Sequence, residues 1–256
     1  MPGRNVRKNS RVESRATLTR RASLGTRLAT ITIPLWCLNF VVAIFLLPVA
    51  FISTKTFLTC FSDATFAHHF WKSEEFWFFT LGAVLWTIAF FGLPRPLWIY
   101  VFGHELTHAL WVWMSLGRVS RFRVSSDGGH IISNKQNVFI ALAPYFFPLY
   151  SIGVIALYGG ANWFYDLEPY HRWLYALIGV TWAFHISFTL WMIPKGQTDI
   201  TYYGTFFSLV VVYLMNLLLL SVLLVAASPD VTLRSFAREW KCNAAALSSA
   251  ARGYLP

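Results

Sequence analysis

Residues 97–117 read Leu97-Trp98-Ile99-Tyr100-Val101-Phe102-Gly103-His104-Glu105-Leu106-Thr107-His108-Ala109-Leu110-Trp111-Val112-Trp113-Met114-Ser115-Leu116-Gly117. Around His104, Glu105 and His108 the stretch is almost wholly apolar. As a helix rising about 1.5 Å per residue it has the length of a bilayer's hydrocarbon core, roughly 30 Å. Five further apolar runs of similar length stand at roughly 28–53, 75–93, 137–158, 171–193 and 203–227. The chain is 56% hydrophobic and only 12% charged, with a mean hydropathy of +0.52. Soluble domains carry about 25% charged residues. The expected fold is therefore an all-α polytopic membrane protein of about six transmembrane helices.

Outward from this stretch, Pro94 and Pro96 cannot both sit inside a helix, so 75–93 and 97–117 should form a helical hairpin. Aromatic residues gather at span ends, at Phe70-Trp71, Trp98–Tyr100 and Tyr170–Trp173, as an interfacial belt does. Six spans with short connections leave no room for a separate soluble domain. The expected organisation is a basic tail at 1–27, a transmembrane domain at 28–227 and a C-terminal tail at 228–256.

Much of the formal charge of +10 lies at the chain ends. The first 27 residues carry eight arginines and lysines against one acid, Glu13. Beside a membrane span such a tail attracts anionic lipid and sets topology, and nucleic acid is not an expected partner. With the N-terminus inside, fourteen Lys and Arg fall on the cytoplasmic side and seven on the other, which places both termini in the cytoplasm. The cell (inner) membrane is the expected location. The Arg-, Ser- and Thr-rich tail also has the composition of a transit peptide, which keeps an organelle membrane open. Cys37, Cys60 and Cys242 show neither metal nor redox spacing.

Residues 118–135 form no span. Alternating character through Val124, followed by Asp127-Gly128-Gly129, predicts a short β-hairpin at or partly within the membrane.

The chemistry lies in His104-Glu105-Leu106-Thr107-His108. Positions i and i+4 share one helix face, so the two imidazoles can hold one zinc ion. The glutamate between them can then take a proton from water that the metal has acidified. An ionisable group at the bilayer centre costs about 2.5–3.5 kcal/mol, so Glu105 is expected to have a use there. A catalytic zinc takes three protein ligands. His185 lies about nine residues, roughly 14 Å, from its span end, at the depth of His108. Asp199 follows the break Pro194-Lys195-Gly196 and qualifies if its segment dips back between the helices. The residues themselves leave both open. His68-His69 and His130 read as surface positions, the latter beside the mouth of the site. Asn216 reads as a polar clamp between helices. No phosphate-binding glycine loop and no Ser-His-Asp order is present.

Gly103-His104-Glu105-Leu106-Thr107-His108-Ala109-Leu110, then Gly117-Arg118-Val119, Gly128-Gly129 and Ala141-Leu142-Ala143-Pro144, resembles the core of the site-2 proteases, which are intramembrane zinc metalloproteases. The likeness spans roughly residues 97–216. It implies a hairpin that re-enters the membrane and a later aspartate as third zinc ligand, for which Asp199 is the match by order, with His185 as the alternative. It also implies zinc-dependent hydrolysis of a membrane protein substrate, with Glu105 as general base. The family's metal lies near the cytoplasmic face, whereas the charge count puts the hairpin opposite. The contrasting expectation is a non-catalytic scaffold or metal-handling membrane protein that keeps the same helix. A hydrolase acting on lipid would share the zinc chemistry.

Overall fold

The computed structural model describes residues 35–67, 69–125 and 128–253; the basic tail at 1–27, His68, Ser126 and Asp127 lie outside them. The chain separates into two compact units, Met1–Leu38 and Asn39–Pro256, and the described residues of the first are the opening turn of helix α1. Helix α1 (Leu35–Ser62) leads to α2 (Glu74–Gly92), α3 (Leu97–Met114), strands β1 (Val119–Ser125) and β2 (Gly128–Ser133), α4 (Val138–Leu142), α5 (Leu149–Asn162), α6 (His171–Met192), α7 (Thr198–Tyr202), α8 (Thr205–Ala227) and α9 (Leu233–Gly253).

Helix limits follow from local chemistry. Ser73 caps α2, its Oγ accepting the Phe76 N–H at 3.2 Å, and Glu74 and Glu75 occupy the first turn, where the helix dipole favours acids. Leu93 is extended ahead of Pro94 and ends the helix. Gly117 closes α3, its N–H reaching the Val112 carbonyl at 2.8 Å.

Among the described residues, four helices are long and apolar enough to cross a membrane: Trp36–Phe66, Glu74–Gly92, Glu168–Lys195 and Thr205–Ala227. Many of their large apolar side chains are exposed, including Phe45, Leu58, Ile88, Phe91 and Leu190. This is compatible with a membrane protein. The count rises to five if the bent pair over 138–162 is one span, so six spans are not confirmed. Helix α3 has the length, but its two histidines and glutamate keep it out of the apolar set. Residues 138–162 are not one straight helix: Val138–Tyr145 and Leu149–Asn162 are bent by 81°.

That bend changes the topology. Alternating spans would set α2 and α6 antiparallel, yet they run parallel. Phe78 meets Trp173 (ring centroids 5.4 Å), Trp86 meets Phe184 (5.0 Å), and Phe90 meets Phe188 (5.3 Å). The reason lies between them. The intervening chain starts beside the α3 C-terminus, where Lys135 Nζ donates to the Ser115 carbonyl at 2.6 Å. It descends until the Tyr150 hydroxyl donates to the Ile99 carbonyl at 2.5 Å. It then climbs back to Tyr158, whose ring faces His171 at the start of α6 (6.2 Å). It enters and leaves at one end of the bundle, as a re-entrant segment does. Lys195 consequently shares an end with Arg95, both over the Trp191 ring, while Arg172 sits at the other end over Phe78. The charge count puts Arg172 with Arg95 on the cytoplasmic side and Lys195 on the other, and the fold exchanges Arg172 and Lys195. Phe40 of α1 meets Phe206 at the start of α8, whereas α9 follows the far end of α8. The C-terminal segment expected as a tail is helix α9, pinned to α1 by Trp240 Nε1 to Ser53 Oγ (3.0 Å) and Asn243 Nδ2 to Thr56 Oγ1 (3.2 Å).

Parallel packing of α2 on α6 depends on two glycines. A Cβ at Gly82 would strike the Ala176 carbonyl, and one at Gly179 the Phe79 carbonyl. Small residues let membrane helices approach this closely. Replacing either by valine is expected to destabilise the bundle by about 1–3 kcal/mol, the usual effect of overpacking. The measurement is the thermal midpoint in detergent, and an unchanged midpoint in both variants would refute the close crossing.

The hairpin expected over 118–135 is present as an antiparallel pair, with a register irregularity between Val119 and Arg121. It lies along α3: Phe122 meets Phe102 edge-on (6.2 Å), and Gly129 packs against Val101 and Glu105.

Candidate metal centre

Helix α3 supplies His104 and His108 from one face, and the two Nε2 atoms are 3.2 Å apart. The third member arrives from far along the chain. After α6 the chain turns through residues 193–195 and Gly196, whose φ of 75° lies in the left-handed region that glycine tolerates. Helix α7 then carries Asp199 back between the helices. Its placement is fixed from two sides: Ser208 Oγ donates to the Ile200 carbonyl at 2.8 Å, and Asn39 Nδ2 donates to the Tyr203 carbonyl at 2.8 Å. Asp199 Oδ2 ends 3.3 Å from His104 Nε2 and 3.4 Å from His108 Nε2. His104, His108 and Asp199 form the one group of metal-ligating side chains found among the described residues.

The geometry fits a metal. Zinc–ligand bonds of about 2.0–2.1 Å in a tetrahedron place donor atoms about 3.3 Å apart. The three observed separations, 3.2, 3.3 and 3.4 Å, match that edge. The other ring nitrogens are engaged as well. His108 Nδ1 is 2.7 Å from the Ile140 carbonyl, which can only accept, so Nδ1 carries the hydrogen and Nε2 presents its lone pair. His104 Nδ1 lies 3.2 Å from the Tyr100 hydroxyl. Two imidazole lone pairs and a carboxylate converging this closely repel one another unless a cation or proton lies between them. A carboxylate binds a metal in its ionised form, so Asp199 can supply the negative charge that two neutral imidazoles lack.

Glu105 is buried on the same helix and faces Gly129 of β2, where a Cβ would meet the Glu105 side chain and the Arg123 carbonyl. The three ligand residues and Glu105 open onto a groove of about 270 Å³, walled by Gly129, His130, Ile131 and Ser133 of β2 and floored by Ile140 and Gln197. His130 thus stands at the mouth of the site.

No protein-family model, curated protein or solved structure matches the chain. The chemistry of the site rests on its own geometry.

Of the two candidates for third ligand, the fold brings in Asp199 and leaves out His185. His185 faces a separate cavity of about 30 Å³ behind His104, shared with Tyr100, Thr107 and Tyr150, and its Nε2 has no hydrogen-bond partner. The depth argument in its favour took Gly117 and Pro194 to lie at the same end, and they lie at opposite ends. His69 of the first loop has a left-handed φ of 60° and stands apart from this site. Tyr145 is a contributor that spacing did not identify. It is fully buried, its ring meets His104 edge-on (5.4 Å), and its hydroxyl donates to Asp199 Oδ2 at 3.3 Å. The signal was its position directly after Ala141-Leu142-Ala143-Pro144. Asn216 holds it there, Nδ2 donating to the Tyr145 carbonyl at 2.9 Å, which makes the expected clamp a support for the site.

Proposed function

We propose that the chain is a membrane-embedded zinc metalloprotease of the site-2 protease kind, acting on a membrane protein substrate. The observation that carries this reading is the triangle of His104 Nε2, His108 Nε2 and Asp199 Oδ2, with edges of 3.2–3.4 Å, beside a buried glutamate on the same helix. His104, His108 and Asp199 would hold the ion. Bound zinc supplies Lewis acidity, which acidifies water and polarises a carbonyl.

The residues divide the remaining work. Glu105 accepts a proton from the attacking water and returns it to the leaving amine, a general base becoming a general acid. Tyr145 orients Asp199, and the Ile140 carbonyl fixes the tautomer of His108. The groove lies along β2, whose second edge carries no strand partner among the described residues. A helical substrate has its backbone groups paired and must unwind before a carbonyl is attacked. An unwound segment could pair with that edge as an added strand.

A metal-handling scaffold would use the same three ligands and leave Glu105 idle. The test is zinc content and peptide cleavage of the detergent-purified protein, wild type beside His108→Ala. About one zinc per chain, lost in the variant together with cleavage, is the expected result. Absence of zinc from wild type after incubation with the metal would end the reading.

A further inference from the structure

The hairpin has two unlike faces. Pairing sets Phe122 opposite Ile131 and Val124 opposite Gly129, and these residues face α3 and the metal groove. On the other face Arg123 stands opposite His130, which also reaches the rim of the metal groove, and Arg121 opposite Ile132, all four exposed. Side chains alternate across a strand, so this division is built into the sequence. The basic face runs beside α3 at the depth of Glu105, since Gly129 packs on Glu105 and Phe122 on Phe102. Arginine facing hydrocarbon at that depth is costly and calls for water or an anionic partner.

We infer that Arg121, Arg123 and His130 form a specificity surface that selects extended substrate segments bearing a carboxylate next to the scissile residue. The inference rests on the protease reading and on strand addition to β2. In such a pairing, neighbouring strands lie about 4.8 Å apart, and the added segment alternates in step with β2. A residue facing the metal therefore has neighbours on the basic face. Its neighbour opposite His130 lies within reach of the long Arg123 side chain, one strand further on. A carboxylate there gains charge-assisted hydrogen bonds, whereas lysine meets like charge.

Zinc-loaded Glu105→Gln protein, which leaves substrate intact, is titrated with a short fluorescein-labelled peptide of alanine and valine bearing one central Asp. Peptides with Asn or Lys in its place are compared by fluorescence anisotropy. The Asp peptide should bind about tenfold more tightly than the Asn peptide, and the Lys peptide more weakly still. Added salt should narrow the gap, and Arg121→Gln with Arg123→Gln should abolish it. Equal affinities for the three peptides, or no binding of the Asp peptide, would overturn the inference. So would equal affinities accompanied by arginine-dependent retention of phosphatidylglycerol, which would assign the face to lipid headgroups. Cleavage of the same peptides by the wild-type holoenzyme separates the two claims. Charge preference without cleavage retires the protease and keeps the surface; cleavage without preference does the reverse.

Discussion

Glu105→Gln is expected to keep about one zinc per chain and to lower peptide hydrolysis by about 10²–10⁴-fold, the usual contribution of a positioned general acid–base. The amide is isosteric with the carboxylate, so packing against Gly129 and the α3 fold are retained. It cannot accept the proton of the attacking water. Metal analysis and turnover on the same preparation give the two readouts. Zinc retained with turnover lost assigns Glu105 its role. Turnover unchanged would mean that another group moves the proton, and loss of the metal as well would make Glu105 structural.

Asp199→Ala is expected to abolish stoichiometric zinc, whereas His185→Ala should leave it intact. Partners outside a metal's own ligand set typically cost 10–100-fold in affinity when removed, so loss of a ligand should exceed about 100-fold. Asp199 Oδ2 is 3.3–3.4 Å from both histidines, while His185 faces the small cavity behind His104. Competition with a fluorescent zinc chelator measures both variants. Zinc lost from His185→Ala and kept by Asp199→Ala would reverse the assignment. The two imidazoles would then need a water or an unassigned group as third donor.

The sequence by itself determined the local features. An apolar composition with few charges makes helices that suit a bilayer. His104 and His108 share a face because the α-helix repeats every 3.6 residues, and that juxtaposition needs no tertiary contact. The hairpin was legible from alternation and the turn signal Asp127-Gly128-Gly129. Distant partners were legible only in part: the residues left Asp199 and His185 both open, and the likeness to the site-2 proteases favoured Asp199. Asp199 reaches the histidines only because residues 193–204 fold back between the helices, held by Ser208 and Asn39. Tyr145 joins them from a core cluster with Leu142, Phe146, Ile200 and Val212, its carbonyl bonded by Asn216, 71 residues away. Topology misled for a similar reason. Residues 138–162 are apolar enough to read as a span, and hydropathy is blind to direction. The 81° bend and the parallel packing of α2 on α6 through Gly82 and Gly179 decide that the chain turns back. Periodicity is a property of neighbouring residues and is written in the chain. Which ends meet, and which acid completes the triangle, depends on packing between segments some hundred residues apart, and only the tertiary structure decides it.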